Sequence, residues 1–292
     1  MKDNIGLIIV WYNPSANDIA FAQSIAKVYQ GIIIDNSETK TISVESIGKM
    51  KYKALMHNCG IAKAQNEGIR YLSELPNIEY IVFFDQDSRY NCDFPLLLCQ
   101  EYSRIKDFVP NLGILGPIIG VENTTKIDSS IFHKTNEQDG FLPMREIISS
   151  GSIVHSSILR KNGFMRECMF IDYVDFEYCW RLRNIGYICG QTTRLILNHK
   201  VGVMHKTIGP YVIQVWSPKR YYYQFRNHLW LCTLSYIPFQ WKISTTIKHL
   251  ARIIYFPLFI KNGYKCLIQM LLGIKSSFSD YKSFSKERTQ YD

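Results

Sequence analysis

The run IGLIIVWY, Ile5 to Tyr12, shows no alternation of polar and apolar side chains, and two similar runs follow in GIIIDNS and EYIVFFDQD. A strand that is apolar on both faces must be covered on both, which is the condition inside a parallel sheet flanked by helices. Between the first two runs, NPSAND has the residues of a turn and a helix cap, and IAFAQSIAKVY has helical spacing. Between the second and third, NCGIAKAQNEGIRYLSEL is a loop entering a helix. The chain therefore begins as a βαβ unit and repeats the alternation, which predicts an α/β fold with a mostly parallel sheet. Asp35 and Asp85 fall at carboxyl ends of strands, where open α/β sheets hold their ligands.

Further along, GILGPIIG predicts another strand, residues 121 to 145 a polar excursion, and REIISSGSIVHSSILRKNGF a strand, turn and short helix. The segment FIDYVDFEYCWRLRNIGY predicts a helix, and ILNHKVGVMHK a strand running into a loop. From RYYYQFRNHLWL onward, aromatic, Lys and Arg residues interleave over helical spacing. A soft boundary near residue 225 separates a catalytic domain, 1–225, from a C-terminal helical appendage, 226–292.

With 292 residues, 47% of them hydrophobic, the chain can bury a full core, which excludes disordered and fibrous classes. Its 34 basic and 25 acidic residues leave a charge of +9, pointing to an anionic partner. Eight cysteines without CxxC pairs suit reduced, mostly buried thiols. The first apolar run ends at Asn13-Pro14, so it is expected to be a strand and not a signal segment. No apolar run is long enough to span a bilayer.

Asp85 and Asp87 flank one glutamine in FFDQDSRY. Two carboxylates so spaced suit a divalent cation, Mg²⁺ or Mn²⁺, that takes its remaining ligands from a diphosphate. A solvated or capping role is the structural alternative, and a phosphatase with a nucleophilic first Asp is a chemical one. That chemistry wants the motif after the first strand, whereas here a complete βαβ unit precedes it.

The ordered blocks IIVWYNP, IIIDNS, NCGIAKAQNEGIRYL, YIVFFDQDS, ISSGSIVHSSILRKNGF, FIDYVDFEYCWRLRNIGY, LNHKVG and RYYYQFRN cover roughly residues 5 to 230. In this set the chain resembles a bacterial family 2 glycosyltransferase of GT-A fold, and within that family the rhamnosyltransferase-like branch. The resemblance implies that Asn13 and Pro14 shape a loop over the nucleotide and that Asp35 accepts from the N3 proton of a pyrimidine, with an Asx turn as the structural alternative for Asp35. It implies that Asn58, Gly60, Lys63 and Asn66 meet the donor nucleotide, and that Asp85 and Asp87 straddle ribose and metal. Gly151 and Ser152 would lie near the acceptor and donor sugar. Asp175 would be the general base and Asp172 its alternative, with Glu177 in the same acidic cluster; Val174 stands where the family often has Glu. His199 would complete the metal shell or contact phosphate, and Arg220 and Arg226 would close over the diphosphate.

The implied function is inverting, metal-dependent transfer of a sugar, with dTDP-L-rhamnose as donor and a polyprenyl diphosphate-linked glycan as acceptor. The implied location is the cytoplasmic face of the membrane, as a peripheral protein. Trp230, Trp241, Phe256 and Phe259 interleave with Lys242, Lys248, Arg252 and Lys261, a pattern that suits an interfacial helix on anionic lipid or a packed helical cap. A transferase using a UDP-hexose and a noncatalytic sugar-nucleotide or glycan binder are the alternatives. No nucleic-acid-binding motif is present, so no nucleic acid is expected as a partner.

Overall fold

A computed structural model describes residues 2–121, 137–199, 204–208 and 211–291; the side chains of residues 121, 198, 199, 204–214 and 288–291 lie outside the description. By its internal contacts the chain forms two compact units. One comprises Met1–Glu167 and Tyr178–Lys200, the other Cys168–Glu177 and Val201–Asp292. Residue 225, where a soft boundary is expected, lies inside a continuous helix, Pro218–Cys232.

The first unit carries a nine-stranded sheet. Its parallel half is β1 (Ile5–Trp11), β2 (Gln30–Asp35), β4 (Met50–Ala54) and β5 (Tyr80–Asp85), in the order β4-β2-β1-β5. The other half is mixed. There β8 (Ile153–His155) runs antiparallel to both β5 and β6 (Leu112–Val121), and β6 pairs parallel with β9 (Ile188–His199). The short strands β3 (Ser46–Ile47) and β7 (Phe141–Met144) close the two edges.

Every residue of β1 is buried, as its unbroken apolar run requires. Leu7, Ile9 and Trp11 pack with Ala22, Ile25 and Ala26 of α1 (Ala16–Ala26) and with Leu98 and Tyr102 of α3 (Phe94–Phe108). The alternate positions meet α2 (Ile61–Ser73): a Cβ on Gly68 would stand 2.7 Å from the Ile8 side chain, so only glycine allows that approach. Full burial of each such Ile or Leu contributes about 1.5–3 kcal/mol, which makes this two-sided cover the main source of stability for the sheet. Ser15 caps α1 in a reciprocal box with Asp18, as NPSAND suggests.

In the second unit, β10 (Met204–Ile208) and β11 (Tyr211–Val215) form an antiparallel hairpin. Four helices follow: α6 (Pro218–Cys232), α7 (Phe239–Phe259), α8 (Gly263–Ser279) and α9 (Tyr281–Tyr291). Tyr221, Phe225, Phe256, Ile260, Cys266 and Met270 form its core. Trp230 stacks on Phe284 and donates to the Ser277 carbonyl. Trp230 and Phe256 are thus core residues, while Phe259 is exposed. The helices α4 (Ser156–Asn162) and α5 (Val174–Asn184) complete the described elements that matter for function. No helix among the described residues is long and apolar enough to cross a membrane.

Candidate active site

The expected site residues fall in both units. In the first, the ends of β2, β1 and β5 lie side by side, and hydrogen bonds join their loops. The Gln86 amide accepts from Tyr12 N (2.6 Å) and donates to Tyr12 O (3.2 Å), a strand-like pair that ties the turn after β5 to the loop after β1. Asn13, at φ 48°, donates its backbone N–H to Ser37 Oγ at 2.8 Å. Asn36 donates to Asn58 Oδ1 and accepts from Cys59 N, which fixes the loop that enters α2.

Asp35 is fully buried, and its carboxylate accepts from Ser37 N, Ser37 Oγ, Thr41 N and Tyr52 OH. These four donors occupy the acceptor positions of a carboxylate. Asp35 thereby organises its own loop. Burial works to raise its pKa, but the hydrogen bonds from Ser37, Thr41 and Tyr52 outweigh it and hold the carboxyl below the usual range. In turn Asp35 and burial push the Tyr52 phenol up to about 12, burial being the larger cause.

Asn66 is likewise buried, and its amide bonds Met165 N, Met165 O and Glu167 Oε1, so it braces the chain at 165–167. Asn58 accepts from Gly60 N, and Gly60 has a φ of 85° that favours glycine. No side chain caps α2. Its N-terminal amides and the half-buried Lys63, which makes no ion pair or hydrogen bond among the described residues, give this end of α2 positive character.

Asp85 and Asp87 are both partly exposed, at the end of β5 and in the turn after it. Arg89 holds that turn by donating to Gln86 O and Ser88 O, and it pairs with Asp18. Ser88 bonds Ser150 across 2.6 Å, so the serines of DQDS and SSGS are one buried contact. Neither Arg89 nor the serine pair is legible as a site residue, because the signal lies in a partner 62 positions away. Gly151 has a φ of 76°, and a Cβ there would meet Leu197 at 2.6 Å. Ser152 is buried and donates to Ser149 O, so it shapes the turn.

The second unit holds the other acidic cluster. Phe170, Asp172 and Tyr173 have φ values of 65°, 67° and 64°, strained for non-glycine residues. Asn227 Nδ2 donates to the carbonyls of Met169, Ile171 and Asp172, and Arg226 donates to those of Cys168 and Met169. The adjacent Arg and Asn of α6 therefore hold this loop in shape. Arg226 is buried in that task. Arg220 binds Asp172 through Nε and Nη2, at 2.9 to 3.1 Å, and stacks on Trp216. Burial raises the Asp172 pKa, with Arg220 opposing it. Glu177 is fully buried and accepts from Tyr236 OH of its own unit. Asp175, in the first turn of α5, is partly exposed and accepts from Phe176 N. The His199 side chain lies outside the described residues; its backbone ends β9, opposite Val121.

Among the described residues no group of three or more His, Cys, Asp and Glu side chains could hold a metal by itself. Asp85 and Asp87 offer hard oxygen donors, which fit Mg²⁺ or Mn²⁺ only when further oxygens come from outside the protein. A diphosphate is such a source.

The sheet and its crevice define a GT-A glycosyltransferase fold. In an alignment of 254 residues the chain is 32% identical to the dTDP-rhamnosyl transferase RfbF of Shigella flexneri, over 82% of this chain and 83% of that protein. No family model matches the chain. The S. aureus TarS 1-349 structure in complex with UDP-GlcNAc matches with a TM-score of 0.56 and 14% identity, over 94% of this chain and 81% of that one. The structure of GalNAc-T7 with UDP, GalNAc and Mn²⁺ matches with a TM-score of 0.51 and 11% identity, over 85% of this chain and 54% of that one. The chain belongs to the family of glycosyltransferases that includes the Shigella rhamnosyl transferase.

Proposed function

We propose that this glycosyltransferase moves L-rhamnose from dTDP-L-rhamnose to a lipid-linked glycan, with inversion at the anomeric carbon. The observation that carries the donor assignment is the 32% identity to a dTDP-rhamnosyl transferase, extending over four fifths of both chains. The soluble donor and the lipid-linked acceptor would meet at the cytoplasmic face of the cell membrane.

The donor nucleotide lies in the crevice at the ends of β1, β2 and β5, with its diphosphate toward Lys63 and the α2 N-terminus. Asp87, with Asp85 beside it, would hold Mg²⁺ or Mn²⁺, which neutralises the charge that grows on the departing diphosphate. His199 is a candidate for the same cation. Asp175 takes the proton of the acceptor hydroxyl as its oxygen bonds to C1, while the bond from C1 to the diphosphate oxygen breaks and dTDP leaves. Asp172 is the less suited base, because Arg220 already binds its carboxylate from two nitrogens. Hydrolysis of dTDP-, UDP- and GDP-sugars by the purified protein with Mn²⁺ tests the donor without any acceptor. Turnover of dTDP-L-rhamnose above the rest is expected, and preference for a UDP-hexose would replace the donor.

A further inference from the structure

Among the described residues, one face of α7 has no partner. Phe239, Ile243, Ile247, Leu250, Ile254 and Leu258 are each at least 45% exposed. At 3.6 residues per turn they fall within about 100° of arc. The buried residues Thr245, His249 and Phe256 occupy the opposite face. An ordinary surface helix has one apolar face, turned inward; this one has two.

The charge around that stripe has a single sign. From Tyr178 to Ser279 the sequence has no Asp or Glu, so every charged side chain of α7 and α8 is Lys or Arg. Lys248, Lys261 and Lys265 are exposed and form no ion pair among the described residues. A second copy laid on the stripe would bring the exposed Lys248 toward its own equivalent, with no acid on α7 to pair it. An anionic lipid surface meets both features, taking the apolar side chains below its headgroups and the cations among its phosphates. Exposed Ile268, Leu271 and Leu272 give α8 an apolar face of the same kind.

We infer that the outward face of α7 is a membrane-docking surface that lies in the plane of an anionic bilayer. It rests on the lipid-linked acceptor proposed above for its purpose, and on the stripe and its charge for its existence. The residues concerned are not the aromatic set that composition suggested, since Trp230 and Phe256 are buried.

The test is flotation of the full-length protein with vesicles of phosphatidylglycerol and phosphatidylethanolamine, and with phosphatidylcholine alone, at low and high salt. Donor hydrolysis, thermal melting and solution mass are measured on the same samples. Wild type should float with anionic vesicles and lose most binding at high salt or on phosphatidylcholine. Ile247→Ser with Leu250→Ser and Ile254→Ser should lower partitioning at least tenfold while melting and hydrolysis stay unchanged. Lys248→Gln with Lys261→Gln should lower it roughly fivefold per charge on anionic vesicles only. Absence of wild-type flotation, or flotation of both variants equal to that of wild type, overturns the inference. So does a dimer in solution that the triple variant dissociates, because the stripe then belongs to a second copy. Flotation without hydrolysis of any sugar nucleotide upholds the surface and removes the donor assignment alone.

Discussion

Asp35 and Asp87 both follow buried strands, yet their surroundings assign them different work. Asp35 is ringed by four donors. Asp35→Asn should therefore destabilise the protein by about 1–3 kcal/mol at neutral pH, because the amide cannot accept from all of them. Since the folded pKa is lowered, that stabilisation is complete above the unfolded value near 4 and is lost as pH falls through the folded one. Melting of wild type and variant at stepped pH should show a gap that holds at pH 6 and closes in acid. A gap that widens in acid would contradict the assignment. Asp87→Ala should leave melting unchanged and remove most sugar transfer together with any dependence of nucleotide binding on Mn²⁺. Titration of dTDP with and without Mn²⁺ reads this. Asp175→Asn should cut the transfer rate by roughly 10² to 10⁴ while dTDP still binds; equal loss of binding would mean that Asp175 holds donor.

At the scale of elements, strands with unbroken apolar runs were legible, and so was the cap of α1, because each follows from local sequence. The strand β4 was not, since MKYKA alternates over only five residues between exposed and buried sides. Nor was α3, where Pro95 stands within the first turn and hides a helix start as a break. Among site residues, the aspartates and the Arg-Asn pair of α6 were visible as motifs. Their tasks were not, because burial and long-range partners decide whether a polar group meets a ligand or another loop. Arg226 and Asn227 show this, since their carbonyl partners lie 55 to 58 residues earlier. Asn227→Ala should release the strained loop before Asp175. Transfer rate should fall more than tenfold while dTDP affinity and the melting of the first unit change little. Unchanged transfer would show that the strained loop has no part in positioning the base.

The whole molecule comprises a sheet unit, which carries Asp85 and Asp87, and a helical unit, which carries Asp172 and Asp175. The helical unit has its own pH response. His249 stacks on Phe225 and packs edge-on to His228; burial lowers their pKa values to about 2 and about 4. Both are neutral when folded, so protons bind preferentially to the unfolded state below the ordinary value near 6.5. Stability should thus be full above pH 6.5 and decline toward pH 4, and the double variant His228→Gln with His249→Gln should lose that decline in melts followed by circular dichroism. The central claim concerns what leaves the protein with the sugar attached. Full-length protein incubated with dTDP-L-rhamnose, Mn²⁺ and a lipid-linked glycan fraction should yield glycan heavier by one deoxyhexose, joined with the anomeric configuration opposite to that of the donor. No added sugar, addition only from a UDP-hexose, or a retained configuration would contradict the account.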